Sequence, residues 1–151
     1  MTLRTVPITS DNVQDACDLR VRPDQEGFVA PVAESLAQAY VHRDAAWPRL
    51  VLRNDRPVGF VMASFDPGHE ISAFRCGVWR LNVDASAQRG GVGSYAVHVV
   101  LAEAARRGYR SATVLWVDRP GGPGPFYQRL GFRPTGEVLF GETVGRIDVP
   151  Q

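Results

Sequence analysis

Apolar residues recur along the first third of the chain at spacings that predict one strand followed by two helices. LRTVPI (residues 3–8) is typical of a short first strand. In SDNVQDACDLRV (residues 10–21) the apolar residues lie three and four positions apart, which predicts a helix capped by Ser10 or Asp11. After a polar loop, PVAESLAQAYVHR (residues 31–43) has the same spacing and predicts a second helix.

The middle of the chain predicts three strands. RLVLRN (residues 49–54) and RPVGFVMASF (residues 56–65) meet at Asn54 and Asp55, which accept turn geometry, so the two segments form a predicted hairpin. ISAFRCGVWRLNVD (residues 71–84) is the third predicted strand.

The last part of the chain alternates between helical and strand patterns. Apolar spacing predicts a helix over residues 92–107, and SATVLWV (residues 111–117) predicts a buried strand. GPFYQRLGF (residues 124–132) predicts a short helix that closes at a glycine. RPTGEVLF (residues 133–140) and ETVGRIDV (residues 142–149) predict a closing hairpin.

This order of elements predicts an α/β (α+β) fold around one mixed sheet. A length of 151 residues predicts a single domain, residues 1–151. In the strand before the third helix, Trp79 has the same two-residue parity as Leu81 and Val83, so the three side chains are expected on one face.

Composition and charge exclude several classes of function. A formal net charge of +1 predicts neither a nucleic-acid partner nor an acidic membrane surface. The N-terminus lacks the apolar core of a signal peptide, and no run of residues is long enough to span a membrane. Cys17 and Cys76 lack paired spacing and are expected as reduced thiols in a cytoplasmic protein. His42, His69 and His98 lack ligand spacing, so no metal is expected.

The glycine-rich stretch QRGGVGSYA, residues 88–96, opens the third helix and is the first candidate binding element. Successive backbone N–H groups at a helix start can bind a phosphate or pyrophosphate, and glycine lets the ligand approach closely. A plain turn without a ligand is the alternative. A Walker loop is excluded because Ser94 and Tyr95 follow Gly93 without a lysine.

A dinucleotide fingerprint fits Gly91, Gly93 and Ala96 only in part. The residues DASAQR separate the strand from the glycines, whereas that fold places the glycines in the turn directly after the strand. The acidic residue expected about twenty positions later is also missing. The segment LNVDASAQRGGVGSYAVHVV instead resembles the acetyl-CoA signature of the GNAT superfamily of N-acetyltransferases, with Gln88, Gly91 and Gly93 at its fixed positions.

A second motif supports this resemblance. FYQRLGF, residues 126–132, is similar to the C-terminal Phe-Tyr motif of the same superfamily, and it follows the first motif in the expected order. VRPDQEGFVAPVAESLAQAYV and GFRPTGEVLFGE resemble the spermine/spermidine acetyltransferase branch. The resemblance implies a mostly antiparallel sheet that is splayed at a cofactor cleft and flanked by about four helices, with acetyl-CoA as cosubstrate and no metal.

The resemblance also implies which residues bind acetyl-CoA. The strand before the glycine loop offers free backbone groups to the pantetheine amides, and a backbone N–H near its end can stabilise the tetrahedral oxyanion. The loop amides take the pyrophosphate. The cofactor-binding candidates are Leu81, Asn82, Val83, Gln88, Arg89, Gly90, Gly91, Val92, Gly93, Ser94 and Tyr127.

The catalytic candidates are an acid and a base. Tyr127, in the second motif, is the candidate acid that protonates the departing thiolate, while Phe126, Leu130 and Phe132 are expected in the core. The amine must lose a proton, and Glu26 is the first choice for the carboxylate that takes it. The candidate carboxylates are Asp24, Glu26, Glu34, Asp44, Glu70, Asp84, Glu137 and Glu142.

Two positions depart from the pattern of the superfamily. Trp79 stands where polyamine acetyltransferases carry a glutamate, and Asp118 stands where many members carry an asparagine that contacts the cofactor. The implied acceptor is a small-molecule amine, with a polyamine such as spermidine as the narrow expectation. An antibiotic amine, an amino acid or a protein N-terminus is an alternative acceptor, and a non-catalytic acyl-CoA-binding module is an alternative function. The resemblance also allows a homodimer.

Overall fold

A computed structural model describes residues 2–151 of the chain. The strands are β1 (Leu3–Pro7), β2 (Ala46–Arg53), β3 (Arg56–Phe65), β4 (Cys76–Val83), β5 (Ser111–Trp116), β6 (Arg133–Leu139) and β7 (Glu142–Asp148). The helices are α1 (Val13–Cys17), α2 (Val32–Val41), α3 (Val92–Arg106) and α4 (Gly124–Leu130). None of the helices in this part of the chain is long and apolar enough to cross a membrane.

The strands form one sheet in the order β1-β2-β3-β4-β5-β7-β6. Only the pair β4–β5 is parallel, because α3 connects these strands across the sheet, and the other pairs are antiparallel. The predicted mixed, mostly antiparallel sheet with four helices is therefore confirmed.

The sheet is splayed between β4 and β5. The two strands pair only where Gly77 meets Thr113 and Val78 meets Val114. A Cβ atom at Gly77 would overlap the carbonyl oxygen of Thr113, so only glycine allows this close approach. Beyond Val78, β4 continues to Val83 without pairing to β5, which leaves backbone N–H and C=O groups free on that side.

A β-bulge in β4 sets which side chains face each side of the sheet. Met62 of β3 lies opposite Arg80 and Ala63 lies opposite Val78, so Trp79 is an extra residue in β4. Val78 therefore packs on the same face as Leu81, while Trp79 packs in the core on the opposite face. The expectation that Trp79 shares a face with Leu81 and Val83 is wrong, because the bulge interrupts the two-residue alternation.

Each face of the sheet carries its own hydrophobic core. On one face α3 and α4 cover the sheet, and the fully buried side chains there include Val97, Val100 and Phe132. On the other face α1 and α2 cover Leu50 and Phe60. Burial of each such side chain stabilises the fold by about 1.5–3 kcal/mol, so the two cores hold the splayed strands in place.

Most predicted elements are present, but some boundaries differ. Helix α1 begins at Val13 because the Asn12 side chain accepts a hydrogen bond from the Thr9 N–H (2.8 Å) and donates one to the Pro7 carbonyl (2.9 Å). These bonds close a turn where Ser10 and Asp11 were expected to cap a helix. Residues 72–74 form a short 3-10 helix rather than the start of β4.

Candidate active site

A cleft of about 1290 Å³ opens where β4 and β5 separate. Its walls come from these two strands, the glycine loop, helix α4 and the loop between α1 and α2. One cleft therefore receives the residues of both sequence motifs, which lie far apart in the chain.

The glycine loop turns sharply into α3. Gly91 is the N-cap residue of α3, with a left-handed φ of 77°, and Arg89 before it also has a positive φ of 66°. No side chain caps the helix, and the first intrahelical bond runs from the Tyr95 N–H to the Gly91 carbonyl. The preceding N–H groups of the first turn are thus available to an anion, and the helix dipole favours negative charge there.

Side chains from three segments hold this loop in place. The Gln88 amide Nε2 donates to the Val83 carbonyl oxygen at 2.9 Å, and Gln25 Nε2 donates to Gln88 Oε1 at 3.4 Å. Arg53 Nη2 donates to the Gly90 carbonyl oxygen at 2.7 Å. The Gln88 side chain therefore ties the loop to the end of β4, which fixes where the N–H groups point.

Nine of the cofactor-binding candidates line the cleft, and two do not. Those that line it are Leu81, Val83, Gln88, Arg89, Gly91, Val92, Gly93, Ser94 and Tyr127. The Asn82 side chain is buried on the other face of the sheet, where its Nδ2 donates to the Ala30 carbonyl at 3.0 Å. The Gly90 carbonyl is taken by Arg53, and Gly90 lies outside the cleft lining.

Helix α4 packs directly against the start of α3. A Cβ atom at Gly93 would lie 3.0 Å from Cζ of Phe126, so a larger residue would crowd this ring. Phe126 and Leu130 are partly buried against the core and Phe132 is fully buried, which confirms the expected packing roles. This contact brings the next residue, Tyr127, to the floor of the cleft.

Tyr127 lies within an aromatic cluster. Its ring centroid is 6.0 Å from Trp116, 5.1 Å from Phe126 and 5.7 Å from Phe132, and only 6% of the residue is exposed. Burial raises the pKa of the Tyr127 phenol above its usual value. The hydroxyl is therefore protonated at neutral pH, and its ring is held firmly while it borders the cleft.

Of the eight candidate carboxylates, only Glu26 and Glu142 line the cleft. Glu26 is exposed at the end of a short 3-10 helix. Glu142 is half-buried at the start of β7, and burial raises the pKa of its carboxyl while Arg80 opposes that shift. A half-buried carboxylate with a raised pKa is the better proton acceptor, because it competes more effectively for a proton at neutral pH.

Two other carboxylates are engaged in local structure. Asp24 forms a salt bridge with Arg22 at 3.0 Å, which lowers the pKa of its carboxyl. Asp84 accepts hydrogen bonds from the backbone N–H groups of Arg20 (2.9 Å) and Ser86 (3.1 Å). Glu34, Asp44, Glu70 and Glu137 lie outside the cleft lining.

Sequence patterns did not single out several residues at the end of the cleft away from the glycine loop. Arg80, Asp66, His69, Phe74 and Phe140 all line it. The Phe140 and Phe74 rings stack with centroids 6.0 Å apart, which joins the β6–β7 turn to the 3-10 helix before β4. The bulge at Trp79 determines the direction of Arg80, and no signal in the sequence marks that bulge.

The loop after β5 closes the cleft on another side. Arg119 stacks on Phe28 from the loop before α2, with its guanidinium carbon 4.6 Å from the ring centroid. Asp118 is exposed and lies outside the cleft lining, and Trp79 lines the cleft without offering a carboxylate. At both positions the cleft therefore lacks the polar side chain that the superfamily pattern would place there. Residues 2–151 contain no cluster of three potential metal ligands.

Comparison by sequence connects these features to a family. Residues 13–132 match the model of the acetyltransferase (GNAT) family. That range includes the glycine loop and the Phe-Tyr motif, and it reaches Phe132 at the end of the second motif. A search of curated proteins found no match.

Comparison by structure finds the same fold in proteins of low sequence identity. A protein from Desulfovibrio desulfuricans assigned to the GNAT family has a TM-score of 0.75 and 15% identity, covering 99% of this chain and 100% of that chain. An aminoglycoside 6'-acetyltransferase of type Ii has a TM-score of 0.74 and 19% identity, covering 100% of this chain and 99% of that chain. N-acetylglutamate synthase from Neisseria gonorrhoeae, complexed with coenzyme A and N-acetyl-glutamate, has a TM-score of 0.74 and 14% identity, covering 100% of this chain and 36% of that chain.

Proposed function

The chain belongs to the acetyltransferase (GNAT) family, and we propose that it transfers the acetyl group of acetyl-CoA to the primary amine of a small molecule. Residues 1–151 form a single catalytic domain in this proposal. The observation that carries it is the convergence of the glycine loop, the unpaired part of β4 and Tyr127 on one cleft.

The residues present fit acetyl-CoA. The first-turn N–H groups of α3 would bind the pyrophosphate, because no side chain or carbonyl among residues 2–151 occupies them. The unpaired backbone of residues 79–83 would hydrogen-bond the pantetheine amides as a strand partner does. A free N–H in the same segment would stabilise the oxyanion that forms when the amine attacks the thioester carbonyl.

Tyr127 would act as the general acid. As the carbon–sulfur bond breaks, the phenol donates its proton to the departing thiolate, and the amine proton restores the phenol by way of the cleft base or water. The phenol carries its proton at neutral pH and can hydrogen-bond the sulfur as negative charge develops there, whereas burial raises the pKa of Tyr127 and makes it a weaker acid. A positioned acid contributes roughly 10²–10⁴-fold to the rate.

Glu142 replaces Glu26 as the candidate base. The amine is mostly protonated in neutral water, and a half-buried carboxylate inside the cleft can hold the ammonium and accept its proton. Glu26 borders the same cleft but is exposed to solvent. A polyamine such as spermidine remains the narrow expectation for the acceptor, with an antibiotic amine or an amino acid as alternatives.

Two measurements test the proposal together. Acetyl-CoA at 100 times its Kd should stabilise the protein by about 2.7 kcal/mol, and NADH and ATP should have much smaller effects. A panel of amines incubated with acetyl-CoA should then release free thiol. Stabilisation without turnover on any amine would favour the non-catalytic acyl-CoA-binding alternative, and an equal stabilisation by NADH would contradict the proposed cofactor.

A further inference from the structure

Arg80 is a charged group inside the cleft, and the carboxylates that act on it electrostatically are Glu34 of α2 and Glu142 of β7. It is half-buried, and burial lowers the pKa of its guanidinium. Its Nη2 donates to Gln38 Oε1 at 2.9 Å and its Nη1 donates to the Trp79 carbonyl at 3.2 Å, both neutral acceptors. Within residues 2–151 it forms no salt bridge. A guanidinium taken from water without a carboxylate partner costs stability, so a functional reason is required.

The donors of Arg80 are not all used by the protein. Its Nε is buried and has no hydrogen-bond partner among the residues that the structure describes. The N–H groups of a guanidinium form a rigid fork that matches two oxygens of one carboxylate, whereas the two neutral contacts of Arg80 use separate nitrogens. Each of the two Nη nitrogens carries a second N–H, so the guanidinium can still donate to an anion in the cleft.

A negatively charged side chain lines the same cleft as Arg80. Glu142 of β7 lines the cleft and interacts electrostatically with Arg80, but the two side chains do not form a salt bridge. The cleft thus holds a cation and an anion that are close enough to influence one another and are not in contact. A ligand that lies between them and carries both charges would satisfy both at once.

We infer that the acceptor is an amine that also carries a carboxylate, as in a free amino acid, with its carboxylate on Arg80 and its amine beside Glu142. This inference rests on the proposed function, which leaves the acceptor open. The proposed roles are recognition for Arg80 and proton transfer for Glu142. The acetyl group forms an amide bond at the amine as its carbon–sulfur bond to CoA breaks, CoA leaves as the thiol with the proton that the amine loses, and the carboxylate of the acceptor is unchanged.

Polycationic acceptors fit the charges of this cleft less well. A polyamine or an aminoglycoside would bring several positive charges against the half-buried Arg80, and like charges at short distance in a low dielectric repel strongly. Glu34 and Glu142 act on Arg80 electrostatically, but neither forms a salt bridge with it, so they offset this repulsion only in part. The charges of the cleft therefore favour an amino acid over the polyamine expectation.

Matched pairs of acceptors test the inference. Within each pair the two compounds differ only by the carboxylate; the pairs are ornithine and putrescine, lysine and cadaverine, and phenylalanine and phenethylamine. Spermidine is included as a polycationic acceptor. With acetyl-CoA saturating, kcat/KM for the best amino acid should exceed that of its decarboxylated partner by about 10- to 100-fold, the range for a hydrogen bond to a charged group. Equal values within every pair, or spermidine surpassing all the amino acids, would overturn the inference.

Substitution of Arg80 tests whether this residue recognises the carboxylate of the acceptor. Arg80→Gln should remove the advantage of the carboxylate, mainly through KM, while the thermal shift with acetyl-CoA stays as in the parent. Arg80→Lys should restore part of the advantage, because it keeps the charge and loses the fork. Arg56→Gln, at an exposed arginine outside the cleft, is the matched control and should change nothing. A carboxylate preference that survives in a folded Arg80→Gln variant would overturn the role of Arg80.

A failure of the proposed function can be distinguished from a failure of the inference about the acceptor. If acetyl-CoA binds and no amine is acetylated, the catalytic proposal fails, and calorimetric binding of the same pairs to the CoA-saturated protein then decides the inference. Binding of the amino acids that depends on both the carboxylate and Arg80 would support it. Absence of any such binding would overturn it.

Discussion

Arg119 stacks on Phe28, with the guanidinium carbon 4.6 Å from the ring centroid. The contact connects the segment after β5 with the segment before α2, and both segments contribute residues to the cleft lining. A Cβ atom at Gly122 would lie 3.1 Å from the Phe28 ring, so the glycine lets the loop approach this closely. The contact therefore ties together two segments that line the cleft.

Loss of this contact should weaken cofactor retention without affecting the fold. A cation–π contact at an exposed site stabilises by about 0.5–1 kcal/mol, so Arg119→Gln should raise the Kd for acetyl-CoA by about 2- to 5-fold. Arg119→Lys keeps the cation over the ring and should have a smaller effect. Fluorescence titration of both variants is the measurement, and identical Kd values in the parent and Arg119→Gln would show that the contact does not help to retain the cofactor.

Tyr127→Phe removes one hydroxyl group and almost no volume. If the phenol protonates the thiolate, kcat should fall by roughly 10²–10⁴-fold. The Kd for acetyl-CoA should change little, because the proposed interaction strengthens only as the sulfur gains charge. The melting temperature should equal that of the parent, since the ring still packs against Trp116 and Phe132. Full activity in the folded variant would leave Tyr127 with a packing role alone.

The glycine loop allows a charge test with a matched control. Asn and Asp both tolerate the left-handed conformation that Gly91 adopts, and a Cβ atom there meets no other atom within 4 Å. Gly91→Asp should abolish the thermal shift with acetyl-CoA because its carboxylate repels the pyrophosphate, whereas Gly91→Asn should keep most of the shift. If both variants bound acetyl-CoA as tightly as the parent, the phosphates would lie elsewhere.

Glu142 should make stability depend on pH in a defined direction. Burial raises the pKa of its carboxyl in the folded state, so the unfolded chain loses the proton more readily and the buried charge opposes folding at neutral pH. Glu142→Gln should therefore raise the free energy of unfolding at pH 7. The gain should disappear below about pH 4, where the carboxyl is largely protonated in both states.

The control for this experiment is Glu137→Gln, at an exposed carboxylate on β6 for which no such gain is expected. Denaturant unfolding of the three proteins at both pH values is the measurement. A Glu142→Gln variant that is destabilised at pH 7 would mean that the carboxylate makes a stabilising contact, and the assignment of a costly buried charge would be wrong. If Glu142 is also the base, the stabilised variant should lose turnover.

The sequence by itself determined the elements and the position of the glycine loop. Apolar spacing and turn residues together located the strands and α-helices, because most of these elements present one apolar face to a core. The spacing of Gln88, Gly91 and Gly93 marked the helix start that lines the cleft, since that geometry depends on local backbone freedom. Tyr127 was likewise found from its motif.

Only the tertiary structure decided which residues meet at the end of the cleft around Arg80. The bulge at Trp79 arises from the pairing of β3 with β4, and it sends Trp79 to the face opposite Leu81. The choice between Glu26 and Glu142 depends on burial, which is a property of distant segments packed together. Local sequence carries patterns that repeat along one element, whereas the charges around Arg80 come from α2, β4 and β7, and only the folded chain brings these elements together.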